Sequence, residues 1–236
     1  MTGTWINTAA ILIGGALGLL IGRLLTENLR QTILSGLGLF TLGLAVSMFL
    51  ETGNSLIVLG GLLIGALIGE GLNIDSFLNR WGQQLERRFN GSTGQESKFV
   101  RGFVTSSLLF CIGPVAILGA IQDGLMGDIQ LLVVKSVMDA FAAFAFASTL
   151  GVGTLFSAPV VLLYQGSFTL LAAQLQKVMT AAMIAELTAT GGILLIGLAI
   201  SSLLEIKKIR VANFLPALGV SPLLVWVLHL LGLSVS

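Results

Sequence analysis

Eight apolar stretches, separated by short polar segments, run the length of the chain. They fall at Trp5–Leu25, Gln31–Leu50, Ser55–Leu72, Gly102–Gln122, Ile129–Leu150, Val152–Ala173, Ala181–Leu204 and Asn213–Leu233. Each comes near the roughly 20 residues an α-helix needs to cross hydrocarbon. The pattern predicts an all-α polytopic membrane protein with about eight transmembrane helices. Met1 to Asn7 has no basic leader, so the first stretch reads as a retained span rather than a signal peptide. The fifth and sixth stretches meet at Gly151-Val152-Gly153, which requires a tight turn.

The one long polar segment, Asn73 to Lys98, has its own period. Ile74, Phe77, Leu78, Trp81, Leu85 and Phe89 recur at helical spacing, with Asp75, Arg80, Gln84, Arg87 and Arg88 between them. This predicts an amphipathic helix lying at the membrane surface, followed by a flexible turn at Asn90–Gly94. A repeat is also visible. Gly38–Glu51 and Gly192–Glu205 share seven of 14 positions at an offset of 154 residues. The same offset lays the first span on the sixth and the third on the eighth. An odd number of helices separates the copies, so the two three-helix units are expected to be inverted. The expected organisation is residues 1–72 as one repeat, 73–101 as an amphipathic loop, 102–150 as a central helix pair and 151–236 as the second repeat.

Charge distribution agrees with eight spans. Arg23 and Arg30, then Arg80, Arg87, Arg88, Lys98 and Arg101, then Lys207, Lys208 and Arg210 fall in three loops that eight spans place on one face. The opposite face receives only Lys177. Cytoplasmic loops collect Lys and Arg, so both termini are expected on the non-cytoplasmic side. Only 10% of residues are charged, against about 25% in soluble domains. A net charge of +1 gives no basic face for nucleic acid. The 30 glycines suit close helix packing in a bilayer and make a homodimer plausible.

Against this apolar background a few residues stand out. Lys135 and Asp139 lie four apart in the fifth span and share one helix face. A charge at the bilayer centre costs about 2.5–3.5 kcal/mol on insertion scales. Either Asp139 meets a cation or proton, or the two residues form a neutral structural pair. In the fourth span, Phe110-Cys111-Ile112-Gly113-Pro114 places a proline mid-helix, where the Phe110 carbonyl loses its normal donor. That oxygen either lines a cavity or is repaired by neighbours. Gln122, Asp123, Gly124, Gly127 and Asp128 form an acidic turn with no basic residue beside it. The turn either attracts cations or is a solvated turn in which Asp128 caps the fifth helix. Glu186 lies early in the seventh span, shallow enough to reach the interface. Glu70 sits near the interface, and His229 is expected to be interfacial.

One cysteine, Cys111, and one histidine leave no Cys/His metal site. No phosphate-binding loop or HExxH motif occurs, so neither an ATP-driven pump nor a metalloenzyme is indicated, and no cofactor is expected. The expected function is a secondary transporter or channel for a small cation, whether sodium, proton or divalent metal, with Asp139 as the candidate metal ligand. A bound monovalent or divalent cation would be its ligand and the lipid bilayer its surroundings. The alternatives are a carrier of a small organic or anionic solute, or a non-transporting scaffold whose surface loop recruits a partner.

The run Phe110-Cys-Ile-Gly-Pro-Val-Ala-Ile-Leu-Gly-Ala-Ile-Gln-Asp-Gly124 resembles the bacterial YqgA/YdfK-like membrane proteins, catalogued as domain of unknown function 554. The run is followed by Gly127-Asp128, Lys135-Ser136 and Asp139. The segments Glu186–Gly192 and Ile209–Ala217 are similar to that family too. The resemblance implies a bacterial inner-membrane protein, for which a sodium channel or pump has been suggested. Met138-Asp-Ala-Phe-Ala142 is also similar to the aspartate-bearing helix of small manganese exporters, which would make Asp139 a cation ligand.

Overall fold

The computed structural model describes residues 1–89 and 98–231. The turn expected at Asn90–Gly94 lies outside them. The elements are α1 (Thr2–Gly22), α2 (Glu27–Phe49), α3 (Ser55–Leu72), α4 (Ile74–Phe89), α5 (Lys98–Cys111), α6 (Pro114–Met126), α7 (Gln130–Leu150), α8 (Ser157–Leu170), α9 (Ala172–Val178), α10 (Ala181–Leu198) and α11 (Ala217–Leu230). Short 3₁₀ turns, Val152–Phe156 and Val211–Phe214, lead into α8 and α11, and a π-turn at Ala199–Leu203 extends α10. The protein is all-α and multi-pass. Among the described residues, six helices are long and apolar enough to cross a membrane, and two bent pairs raise the number of candidate spans to as many as eight.

Those bent pairs account for the fourth and sixth apolar stretches. Gly113-Pro114 is not a kink in one helix. It separates α5 from α6, whose axes differ by 61°. Pro114 opens α6 at a position where a missing N–H costs nothing. The sixth stretch bends by 67° between α8 and α9. Gly151 takes a φ of 85°, the left-handed conformation that makes the turn after α7 so short.

The amphipathic segment is the helix α4. Asn73, in the left-handed conformation that Asn tolerates, ends α3 and lets α4 turn away. Gly82 of α4 lies against Val100 and Phe103 of α5, while Phe77 and Trp81 remain about half exposed.

The chain forms two compact units, each built from two separate stretches. The first holds Met1–Leu37 and Leu78–Lys177, and the second holds Gly38–Phe77 and Val178–Ser236. In the first unit α1 lies along α7 with the same direction. A Cβ on Gly14, Gly18 or Gly22 would strike the carbonyl oxygen of Ala140, Phe144 or Ser148 in turn. One small residue per turn therefore lets the two backbones touch, the way membrane helices gain contact where lipid offers no hydrophobic drive. Helix α8 runs antiparallel to α1, since Thr4 meets Thr169 and Asn7 meets Gln165.

The second unit repeats the device with opposite sense. Gly61, Gly65 and Gly69 of α3 abut Ser221, Ala217 and Asn213, so α3 and the chain through α11 run antiparallel. Helices α2 and α10 are also antiparallel, with Gly38 against Leu204 and Gly192 against Ala45. Asn213 ties three elements together. Its Nδ2 donates to Glu70 Oε2 and its Oδ1 accepts from the first N–H groups of α4 at Asp75, both at 2.7 Å. Arg210 completes this cluster on Glu70 Oε1.

Replacing Gly18 with Leu is expected to separate α1 from α7 and to destabilise the detergent-solubilised protein by about 1–3 kcal/mol or more. Gly43→Leu, where a Cβ meets nothing within 4 Å, is the control. Thermal unfolding measures both; equal stability of the two variants would contradict the backbone contact.

Candidate functional site

The first unit contains a buried polar cluster on three helices. Asp139 is the tenth residue of α7 and lies about 14 Å along it, close to the middle. Lys135, one turn earlier, places Nζ on Asp139 Oδ2. Both residues are only 8% exposed. Asn7 of α1 donates from Nδ2 to the same Oδ2 at 3.0 Å and to Gln165 Oε1 of α8 at 3.1 Å. The carboxylate is thus held on one oxygen by an ammonium and an amide. Asp139 Oδ1 accepts from no described residue.

The cluster is incompletely satisfied. Asn7 and Gln165 are fully buried, yet Asn7 Oδ1 and Gln165 Nε2 have no hydrogen-bond partner. Buried polar atoms are nearly always paired, and each exception calls for an explanation such as a water or ion. Here an unpaired acceptor and an unpaired donor flank a carboxylate with one free oxygen. The arrangement can hold a small polar solute through oxygen donors, with Lys135 as a tethered cation already on the carboxylate.

The break between α5 and α6 lies nearby. Helix α5 starts beside the end of α7, with Gly102 against Leu150, so its last residue, the buried Cys111, stands toward the middle of α7. Phe110 is buried and turns its ring to Phe146, with centroids 6.3 Å apart. Gly113 and Pro114 supply the break itself.

The other sequence candidates are placed elsewhere. Asp123 is buried in the last turns of α6, not in an open acidic turn. It has a base after all: the α-amino group of Met1 binds Oδ1 at 3.1 Å, and the Gly3 N–H donates to Oδ2 at 3.0 Å. Asp123 therefore neutralises the exposed N–H groups at the start of α1. Asp128 is exposed and accepts from the Gln130 N–H at 3.0 Å, capping α7. Gln122 is half-buried on α6.

Glu186 does not reach out to the interface. It is 1% exposed, and the turn between α2 and α3 covers it. Oε2 accepts from Thr52 Oγ1 at 2.8 Å, and Oε1 accepts from the N–H groups of Gly53 and Asn54 at 2.8 and 2.9 Å. Glu186 thus belongs to the second unit as a latch on that turn. His229 is exposed.

Of the other members of the cluster, Asn7 was not among the sequence candidates, and Gln165 stood out only as a polar residue of the sixth apolar stretch, with no role assigned. Each is a lone amide in an apolar span, which was the available signal. Nothing in the sequence joined them across 158 residues. Among the described residues, no three His, Cys, Asp or Glu side chains gather to hold a metal ion.

Comparisons with known proteins identify the family of the chain. No solved structure matches the chain. It is 33% identical over 219 residues to the uncharacterized protein YqgA of Escherichia coli (strain K12), covering 92% of each chain. It is 30% identical over 239 residues to the uncharacterized membrane protein YdfK of Bacillus subtilis (strain 168), covering 99% of each. The family model described as protein of unknown function (DUF554) matches residues 2–226. The chain, from the broken α5–α6 pair to the Asn213 cluster, is therefore a member of the DUF554 family of bacterial membrane proteins.

Proposed function

We propose that this protein is a secondary transporter of a small monovalent cation, with Asp139 as the binding carboxylate and Lys135 as a tethered competitor for it. The observation that carries the reading is the mid-helix carboxylate with one oxygen tied and one free, beside unpaired amide atoms and a helix break. Discontinuous helices near the membrane midplane are a recurring element of secondary transporters. A purely structural ion pair gains little over packed apolar residues of the same volume.

Charge decides the class of ion. Asp139 and Lys135 already sum to zero. A divalent ion would leave a large excess charge in hydrocarbon, and the cluster offers it one carboxylate. A monovalent cation on Asp139 is tolerable once Lys135 leaves Oδ2, with Asp139 Oδ1 and Asn7 Oδ1 as oxygen ligands. The transported ion and the lysine then alternate on one carboxylate. A carrier of a small anion is the second reading. It is favoured by the unpaired Nε2 of Gln165, whose Oε1 accepts from Asn7, because Nε2 and Lys135 offer donors rather than acceptors.

The topology proposed is eight spans in two inverted repeats. Helix directions support it. α1 and α7 run parallel, with the crossings of α2 and α3 between them, so the chain must cross once more through the broken α5–α6 pair. The elements related by the 154-residue offset pair α1 with α8, α2 with α10 and α3 with α11. Each pair is antiparallel, as inverted copies require. Both termini then lie opposite the basic loops, on the non-cytoplasmic side. Alkaline phosphatase fused after Leu231 is expected to be active in the bacterial envelope, and the same enzyme fused after Phe89 inactive. The reverse pattern would overturn the orientation.

Asp139→Asn is expected to abolish cation flux in proteoliposomes while the protein stays folded. Lys135→Gln is expected to tighten apparent cation affinity by about tenfold, equivalent to ~1.4 kcal/mol, because the competitor is gone. Flux that survives in Asp139→Asn would remove the carboxylate from the mechanism. Flux that follows an anion gradient alone would favour the second reading.

A further inference from the structure

Most hydroxyls inside the first unit satisfy themselves locally. Thr8, Ser136, Thr149 and Thr169 donate to carbonyls four residues back, and Ser148 and Ser157 to carbonyls three back. That is the usual fate of Ser and Thr in a membrane helix. Three hydroxyls depart from it. Ser106 and Thr154 are fully buried and Ser107 is 4% exposed, yet none of their Oγ atoms has a partner.

Their positions are related. Thr154 lies in the 3₁₀ turn after α7, and its Oγ1 comes within 3.3 Å of where a Gly102 Cβ would be. Ser106 stands one turn further along the same face of α5. Helix α5 starts beside Leu150 at the end of α7, so Cys111, about 7–8 Å beyond Ser106 along the helix axis, ends α5 toward the middle of α7. Thr154 and Ser106 therefore follow one face of α5 inward from the α7–α8 junction, and Ser107 lies beside Ser106, about 100° around the helix. That junction is the end of the first unit where Gly22 meets Ser148, the end from which Arg23 follows α1.

We propose that Thr154, Ser106 and Ser107 line the half of the solute path between Asp139 and the basic-loop face. Their oxygens would serve as neutral ligands for a largely dehydrated monovalent cation in transit. The proposal rests on the transport reading of Asp139 and deepens it. A hydroxyl can turn a lone pair to a cation or donate to a water, so a set of unpaired hydroxyls replaces hydration without adding charge. A carboxylate in the same place would hold the ion; a methyl group would block its passage.

The test separates the path from the site. In a Cys111→Ala background, Ser106→Cys and Thr154→Cys are reconstituted in sealed vesicles of both orientations. They are then exposed to a membrane-impermeant methanethiosulfonate. Both are expected to react from the basic-loop face and to resist reagent from the other. Val161→Cys, at a fully buried apolar position, is expected to resist from either face. In the otherwise native chain, Ser106→Ala with Thr154→Val is expected to slow sodium or potassium flux by about tenfold. Ser148→Ala, which removes a hydroxyl already donating to the Ala145 carbonyl, is expected to retain the native rate. If both cysteines are as inert as Val161→Cys while Asp139→Asn still abolishes flux, the hydroxyl path is overturned and the site stands. If both cysteines react but native vesicles carry no cation, the path stands and the cation reading falls.

Discussion

The carboxylate of Asp139 is buried near the middle of α7, and three helices of the first unit surround it with polar groups. Lys135 provides the countercharge from the next turn of the same helix. The i,i+4 spacing on α7 makes that contact available without help from another helix. What the fold adds is Asn7, brought from α1, and Gln165, brought from α8. Asn7 reaches Asp139 only because α1 and α7 touch through backbone, and they touch because Gly14, Gly18 and Gly22 carry no side chain there. Glycine packing and the polar cluster are thus one feature: the first sets the distance that the second needs.

The two units use similar means for different ends. In the second, Glu186 is as deeply buried as Asp139, but every interaction it makes is closed. Three donors from one turn satisfy its two oxygens and fix the start of α3. Asp123 does the same for the start of α1. Both carboxylates sit where a helix N-terminus presents free N–H groups, a setting in which negative charge is stabilised. Asp139 has no such helix end to serve. Its residual free oxygen, beside the unpaired atoms of Asn7 and Gln165, is what distinguishes a candidate binding group from a structural one.

Much of this architecture was legible in the chain. The third apolar stretch, Ser55–Leu72, coincides with α3, and the period of Ile74 to Phe89 coincides with α4. The shared face of Lys135 and Asp139 followed from their spacing. Other features were hidden for definable reasons. Gly113-Pro114 marked a break, but whether a helix kinks or stops depends on its neighbours, and here it stops. The partner of Asp123 was invisible to a count of Lys and Arg because it is the α-amino group of Met1. Glu186 looked shallow by position, yet a turn 132–134 residues away folds over it. Long-range polar partners such as Asn7 have no local signature, since a single amide leaves no period.

The central claim is that the free oxygen of Asp139 meets the transported cation directly. Infrared difference spectroscopy on the reconstituted protein, exchanging sodium or potassium for a bulky organic cation, reads that contact at the carboxylate itself. The account predicts a shift of a carboxylate stretching band that vanishes in Asp139→Asn and persists in the exposed Asp128→Asn. A protein that transports the cation with no carboxylate change, or with one that survives in Asp139→Asn, would contradict it.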